Sequence, residues 1–135
     1  MKNSIKPLLM FSGEHHGQAE EAITFYTATF PNSSITSIEK YGPDQDEPEG
    51  TVQSATFNLN GQDFMAMDSA MPHAFNFTSS ISFFISPDDL PEFDALVAKL
   101  SDQGEMLMPP DNYGFSRKFA WFNDRFGVSW QVNCD

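Results

Sequence analysis

Cysteine is nearly absent: Cys134 is the one cysteine in 135 residues and stands beside the C-terminus. It has no partner within the chain, so no internal disulfide framework exists and the cytoplasm is the expected compartment. Bases are scarce too. Seven Lys and Arg against nineteen Asp and Glu leave a net charge of −12. That balance excludes a basic nucleic-acid footprint and docking on an anionic membrane surface. No apolar run approaches the ~20 residues that span a bilayer. The short apolar run ahead of Glu14, His15 and His16 is too brief for the core of a signal peptide, so none is expected. Glycine never clusters: the eight glycines stand at 13, 17, 42, 50, 61, 104, 114 and 127. With no G-x-G cluster and no phosphate loop, nucleotide-cradling turns are excluded.

Aromatics are plentiful, with fourteen Phe, and the chain is long enough to bury a core without metal or disulfide. Acids gather at Asp44, Asp46, Glu47 and Glu49 in GPDQDEPEG. The stretch lacks the alternating ligands and closing Glu of a calcium loop and reads as a solvated loop.

The pattern predicts a strand over Ile5–Ser12, then a helix from about Gln18 to Phe30. Ala19, Ala22, Ile23, Tyr26 and Phe30 recur there at helical spacing, and Pro31 stops the run. Strands follow at Ser34–Tyr41, Thr51–Leu59 and Gln62–Asp68. Asn60-Gly61 makes the hairpin turn between the last two, because both residues tolerate positive φ. The order then recurs. Ser79–Ser86 reads as a strand. Ser86-Pro87-Asp88-Asp89 opens a helix, with Ser86 as cap, whose stripe is Leu90, Phe93, Leu96, Val97 and Leu100. Gly104 ends it, and strands follow near Glu105–Met108, Phe115–Asn123 and Val128–Cys134, the last pair joined by a turn at Asp124–Gly127.

Leu9 and Phe83 stand 74 positions apart (83 − 9), and so do Ser12 and Ser86 and Ala19 and Phe93. Strand, loop and helix therefore have equal lengths in both halves, an internal βαβββ repeat. The expected fold is α+β: one domain over residues 1–135, with repeats at about 5–68 and 79–133 forming a cupped mixed sheet.

Alternation separates two faces of the repeat strands. Ile5, Pro7, Leu9, Phe11, Phe64, Ala66, Ile81, Phe83, Ile85, Val128, Trp130 and Val132 make one apolar face, suited to pack on the helices. Lys6, Leu8, Met10, Met65, Met67, Ser80, Ser82, Phe84, Ser129, Gln131 and Asn133 make the other. Apolar walls with a few fixed polar groups are the composition of a small-molecule cleft, and Met suits adaptable sites. The candidate ligand-binding residues are Lys6, Met65, Met67, Ser80, Ser82, Phe84 and Gln131.

The paired βαβββ order, the AEEAITFYTATFP helix and the closing WFNDRFGVSWQV hairpin resemble the glyoxalase/bleomycin-resistance, or vicinal oxygen chelate, superfamily. Within it they resemble most the PhnB-like branch, whose members often carry the label 3-demethylubiquinone-9 3-methyltransferase. The resemblance covers nearly the whole chain. It implies a cupped sheet and a homodimer, and the Phe-rich link holding Phe75 and Phe77 agrees with the latter. It also implies that the four metal-ligand positions of the metal-using relatives fall on Lys6, Met65, Ser80 and Gln131. Those side chains do not make a divalent site, which wants imidazole, carboxylate or thiolate. No metal and no cofactor are therefore expected. Nor does the chain have the glycine-rich turn or the length of the common S-adenosylmethionine fold.

The expected function is metal-independent binding of a small, partly apolar molecule, with no catalytic residue assigned. Three alternatives stand beside it: an enzyme of the glyoxalase/dioxygenase superfamily (isomerase, lyase or metal-dependent); by family label only, a ubiquinone-pathway methyltransferase; and a fold whose filled cleft serves only as an interaction partner. His15-His16 reads as a loop pair, and His73 with Asp68 is a candidate acid–base pair. Arg117, Lys118 and Arg125 either receive an anion or pair with surface acids.

Overall fold

The computed structural model describes residues 1–2 and 4–135. The chain divides into two units, Met1–Asn76 and Phe77–Asp135. The first holds β1 (Leu8–Phe11), a 3-10 turn at Gly13–His15, α1 (Ala19–Thr29), β2 (Ser34–Lys40), β3 (Val52–Leu59) and β4 (Gln62–Asp68). The second holds β5 (Phe83–Ile85), α2 (Leu90–Ser101), β6 (Glu105–Asp111), β7 (Lys118–Asn123) and β8 (Ser129–Cys134). Each unit is thus βαβββ, and each forms its own four-stranded sheet, ordered β1-β4-β3-β2 and β5-β8-β7-β6. The first and last strands of each unit pair in parallel, and the other pairs are antiparallel. Parallel neighbours need a long connection, and the helix supplies it.

The repeat runs through the core residue by residue. The buried positions of α1 are Ala19, Ala22, Ile23 and Tyr26; those of α2 are Phe93, Leu96, Val97 and Leu100. Each pair is 74 positions apart, as 93 − 19 shows for the first. In the first unit Phe11, Ala55, Phe57, Phe64 and Ala66 are buried from the sheet side, with Phe57 stacked on Phe64 at 5.2 Å between ring centroids. In the second, Ala120, Phe122, Trp130 and Val132 play the same part, and Phe83 lies tilted against Trp130 at 5.4 Å.

One buried carboxylate in each unit ties its core to its loops. Asp68, fully buried at the end of β4, accepts from Gly17 N at 2.9 Å and Ala19 N at 3.2 Å through Oδ1, and from Val52 N at 2.9 Å through Oδ2. The start of α1 has no side-chain cap of its own at Gln18, so Asp68 satisfies its orphan N–H groups from across the sheet. Asp124 closes the last hairpin. Its Oδ1 accepts from Phe126 N and Val128 N, and its Oδ2 from Trp130 Nε1 at 2.8 Å.

Three expectations are corrected. The cap of α2 is Asp89, not Ser86: its carboxylate accepts from Glu92 N, and Glu92 reaches back to Asp88 N. This reciprocal pair outcompetes a lone Ser, and Pro91 rather than Pro87 sits in the first turn. Ile5 and Ile81 are not core. They are 84% and 73% exposed, because β1 and β5 are edge strands that start only at Leu8 and Phe83. The alternation was extended past the segment that the helix covers. The Asn60-Gly61 turn forms as expected, with φ of 47° and 99°. Gly104 is required for a different reason from capping: a Cβ there would lie 2.1 Å from the Asn123 carbonyl oxygen.

Candidate functional site

Each sheet has a face turned away from its helix. In the first unit cross-strand register puts Leu8, Met65, Thr56 and Ser37 in one row there, and Met10 beside Met67 in the next. Leu8 is 48% exposed, and Met10, Met65 and Met67 are half-buried. This surface is a soft thioether patch with no fixed polar group between β1 and β4. Lys6 precedes β1, is exposed, and makes no ion pair among the described residues.

The second unit's face differs in kind. Phe84, Gln131, Trp121 and Met108 form one row across β5, β8, β7 and β6. Phe84, 60% exposed, stands at the open edge of that row. Beside it a chain of hydrogen bonds links β7 and β8 to Ser82, the residue just before β5. Trp121 Nε1 donates to Ser129 Oγ at 3.0 Å. Ser129 Oγ lies 2.7 Å from Ser82 Oγ, and Gln131 Nε2 lies 3.3 Å from Ser82 Oγ. Ser129 is buried, while Ser82, Trp121 and Gln131 are half-buried. Two residues along β8, Asn133 bonds the Asp135 carboxylate through Nδ2 at 3.0 Å. Its Oδ1 is buried with no partner among the described residues.

Of the seven sequence candidates, the second unit thus brings together Ser82, Phe84 and Gln131, and the first brings together Met65 and Met67. Ser80 stands apart from Gln131. It is exposed, pairs with Thr78 Oγ1 at 2.8 Å, and lies four residues before Phe84, which is Gln131's register partner. At roughly 3.3 Å per residue that is about 13 Å of strand. The serine beside Gln131 is Ser82. Trp121 and Ser129 complete this group, although neither stands among the seven residues that the sequence pattern singles out for ligand binding. The signal was available, because Trp121 stands between the two apolar core residues Ala120 and Phe122 and so must face the Gln131 side.

Lys6 carries an ammonium, Met65 a thioether, Ser80 a hydroxyl and Gln131 a carboxamide, and none of these is a usual ligand of a divalent ion. Among the described residues no three His, Cys, Asp or Glu side chains converge. Asp68 is held by three backbone N–H groups, and His73 Nε2 contacts Ser69 Oγ at 3.1 Å instead, so the two do not pair. His15 Nδ1 lies 3.0 Å from Gln18 Oε1. Lys118 bonds Asp94 at 2.7 Å. Arg117 Nε donates to the Asp135 carbonyl oxygen, and the Arg125 guanidinium lies over the Phe126 ring. Of these contacts only that of Lys118 is with the side chain of a surface acid, and that acid, Asp94, lies on α2 rather than on a neighbouring strand.

The family model for 3-demethylubiquinone-9 3-methyltransferase matches residues 3–133. The chain belongs to this family. It is 44% identical to a PhnB protein from Bacillus cereus that carries the same family label, over 98% of this chain and 100% of that one, with a TM-score of 0.93. Fold alone is shared with two more distant structures. One is the glyoxylase/bleomycin resistance protein/dioxygenase domain from Frankia sp., 12% identical over 99% and 98% of the two chains, TM-score 0.61. The other is the fosfomycin resistance protein FosX from Mesorhizobium loti, 11% identical over 98% and 91%, TM-score 0.61. No curated protein matches the sequence. The PhnB-like family and the glyoxalase-type fold therefore agree with the repeat, the strand order and the face pattern.

Proposed function

We propose that this member of the family binds a small, partly apolar molecule on the helix-free face of its second unit, without a metal ion. The Ser129–Ser82–Gln131 chain beneath Phe84 carries the reading. It is a line of polar groups fixed by strand register next to an exposed ring, and core packing does not require it. Polar groups held rigid beside apolar surface are what orient a small ligand. The poor divalent-ion affinity of the side chains of Lys6, Met65, Ser80 and Gln131 supports a metal-free mode. The methyltransferase in the family label has no support from the architecture. Each sheet has one parallel pair, where the common methyl-donor fold needs an open parallel sheet with a glycine-rich turn. A homodimer in the cytoplasm completes the proposal. It is supported by Met71 and Phe75, 66% and 64% exposed near the junction of the units, and by the lone buried cysteine. No helix among the described residues is long and apolar enough to cross a membrane.

The test is a thermal-shift screen in EDTA with fragments that join one ring to one polar group. Hits that stabilise the wild type and lose their effect in Phe84→Ser and Gln131→Leu support the proposal. Hits indifferent to both substitutions, or dependent on an added divalent ion, contradict it.

A further inference from the structure

The hydrogen-bond chain on the second unit's face has a direction, and the direction says what the ligand must offer. Counting hydrogens makes the point. An indole nitrogen only donates, so Trp121 gives its N–H to Ser129 Oγ. If the Gln131 carboxamide also points its nitrogen inward, at Ser82 Oγ, donors enter from both ends. The two hydroxyl hydrogens of Ser82 and Ser129 then share the single contact between them. One hydroxyl hydrogen is left without an acceptor among the described residues, at a buried or half-buried position, where an unmade hydrogen bond is costly. Turning the carboxamide by half a rotation about its last bond exchanges nitrogen and oxygen in the same space. Every hydrogen then has an acceptor: Trp121 to Ser129, Ser129 to Ser82, Ser82 to Gln131 Oε1.

We propose that the hydroxyls of Ser82 and Ser129 set this polarity, so that Gln131 presents its NH2 group outward beside Phe84 and the site takes a neutral, ring-bearing ligand through a carbonyl-type oxygen. Neutrality follows from the charge. The chain's net charge of −12 disfavours an anionic oxygen, and the row of Phe84, Gln131, Trp121 and Met108 holds no cation. Phe84 and Trp121 flank Gln131 in the same cross-strand row, so an aromatic ring attached to that oxygen meets apolar surface on either side. The inference rests on the proposed binding face and adds the chemistry of its occupant. Ser82 and Ser129 act here as positioning residues, through Gln131, rather than by touching the oxygen.

Two matched probes decide it: acetophenone, and α-methylstyrene, which has the same skeleton with CH2 in place of the oxygen. Each is titrated into the 15N-labelled protein, with the Gln131 side-chain NH2 signals assigned by their loss in Gln131→Glu. The expected result is an acetophenone preference of about three- to tenfold, the worth of one hydrogen bond, with the Gln131 NH2 signals shifting for acetophenone alone. Gln131→Glu, which has no N–H to give, loses the preference but still binds α-methylstyrene. Ser82→Ala removes the hydroxyl that donates to Gln131 Oε1, so the carboxamide is free to turn, and the preference falls. Equal binding of both probes at the face overturns the polarity and leaves the binding face standing. Binding of neither overturns both readings. An unchanged preference in Ser82→Ala removes the serine hydroxyls as the source of the polarity and contradicts the proposal as stated.

Discussion

Trp130 and Gln131 are neighbours on β8 and point to opposite faces, so truncating each gives a sharp contrast. Trp130 is 2% exposed, packs on Phe83 at 5.4 Å and donates its indole N–H to Asp124 Oδ2 at 2.8 Å. Trp130→Ala removes a buried aromatic, at a cost of about 3–5 kcal/mol. It also takes a partner from a buried carboxylate, which adds roughly 1–3 kcal/mol. Gln131→Ala removes a half-buried side chain with one long hydrogen bond to Ser82. The expected cost is about 0.5–1.5 kcal/mol. The gap between the variants should therefore be at least about 2 kcal/mol. Both residues lie in the same unit, so urea unfolding of the two variants follows the same transition, and the difference in midpoint at equal slope gives the gap. If Gln131→Ala is as destabilising as Trp130→Ala, Gln131 is core and the face assignment fails.

Other expectations follow from the same geometry. Asp68→Asn keeps the shape but turns one acceptor into a donor against backbone N–H groups, so stability should fall by about 1–3 kcal/mol, read by chemical denaturation. Gly104→Ala should be among the most destabilising alanine substitutions, since its Cβ meets the Asn123 carbonyl at 2.1 Å; expression as a fully folded, wild-type-stable protein would contradict the close approach. Light scattering of the purified protein should give a dimer mass at tens of micromolar, with Phe75→Ser shifting it toward monomer. Elemental analysis after purification with Zn, Ni, Mn and Fe present should find no stoichiometric ion; one equivalent removable only by chelator would refute the donor-set argument.

The repeat was legible because helix stripes and strand alternation are periodic signals, and the 74-residue offset carries them from one half to the other. What alternation does not reveal is where a strand stops being covered, so Ile5 and Ile81 were assigned to a core they do not enter. Capping showed a similar limit: two Ser/Asp-and-Pro openings lie within six residues, and only the reciprocal contact of Asp89 with Glu92 selects between them. At the site, parity placed Gln131, Ser82 and Phe84 on one face, but which serine meets Gln131 depends on parallel register. That register is set by β5 pairing with a strand some fifty residues away, and nothing local encodes it. Asp68 had the look of a functional acid in the sequence. Its role in holding the start of α1 appears only once β4, β3 and the helix are assembled.

The central claim is that the second unit's open face binds a small neutral molecule without a metal. The most direct measurement is a 1H–15N correlation spectrum of the chelator-treated protein, recorded with and without the best hit of the fragment screen. The account predicts shifts concentrated at Ser82, Phe84, Ser129, Gln131 and the Trp121 indole N–H, with no change on adding divalent ions. Shifts centred elsewhere, or appearing only once a divalent ion is supplied, would contradict it.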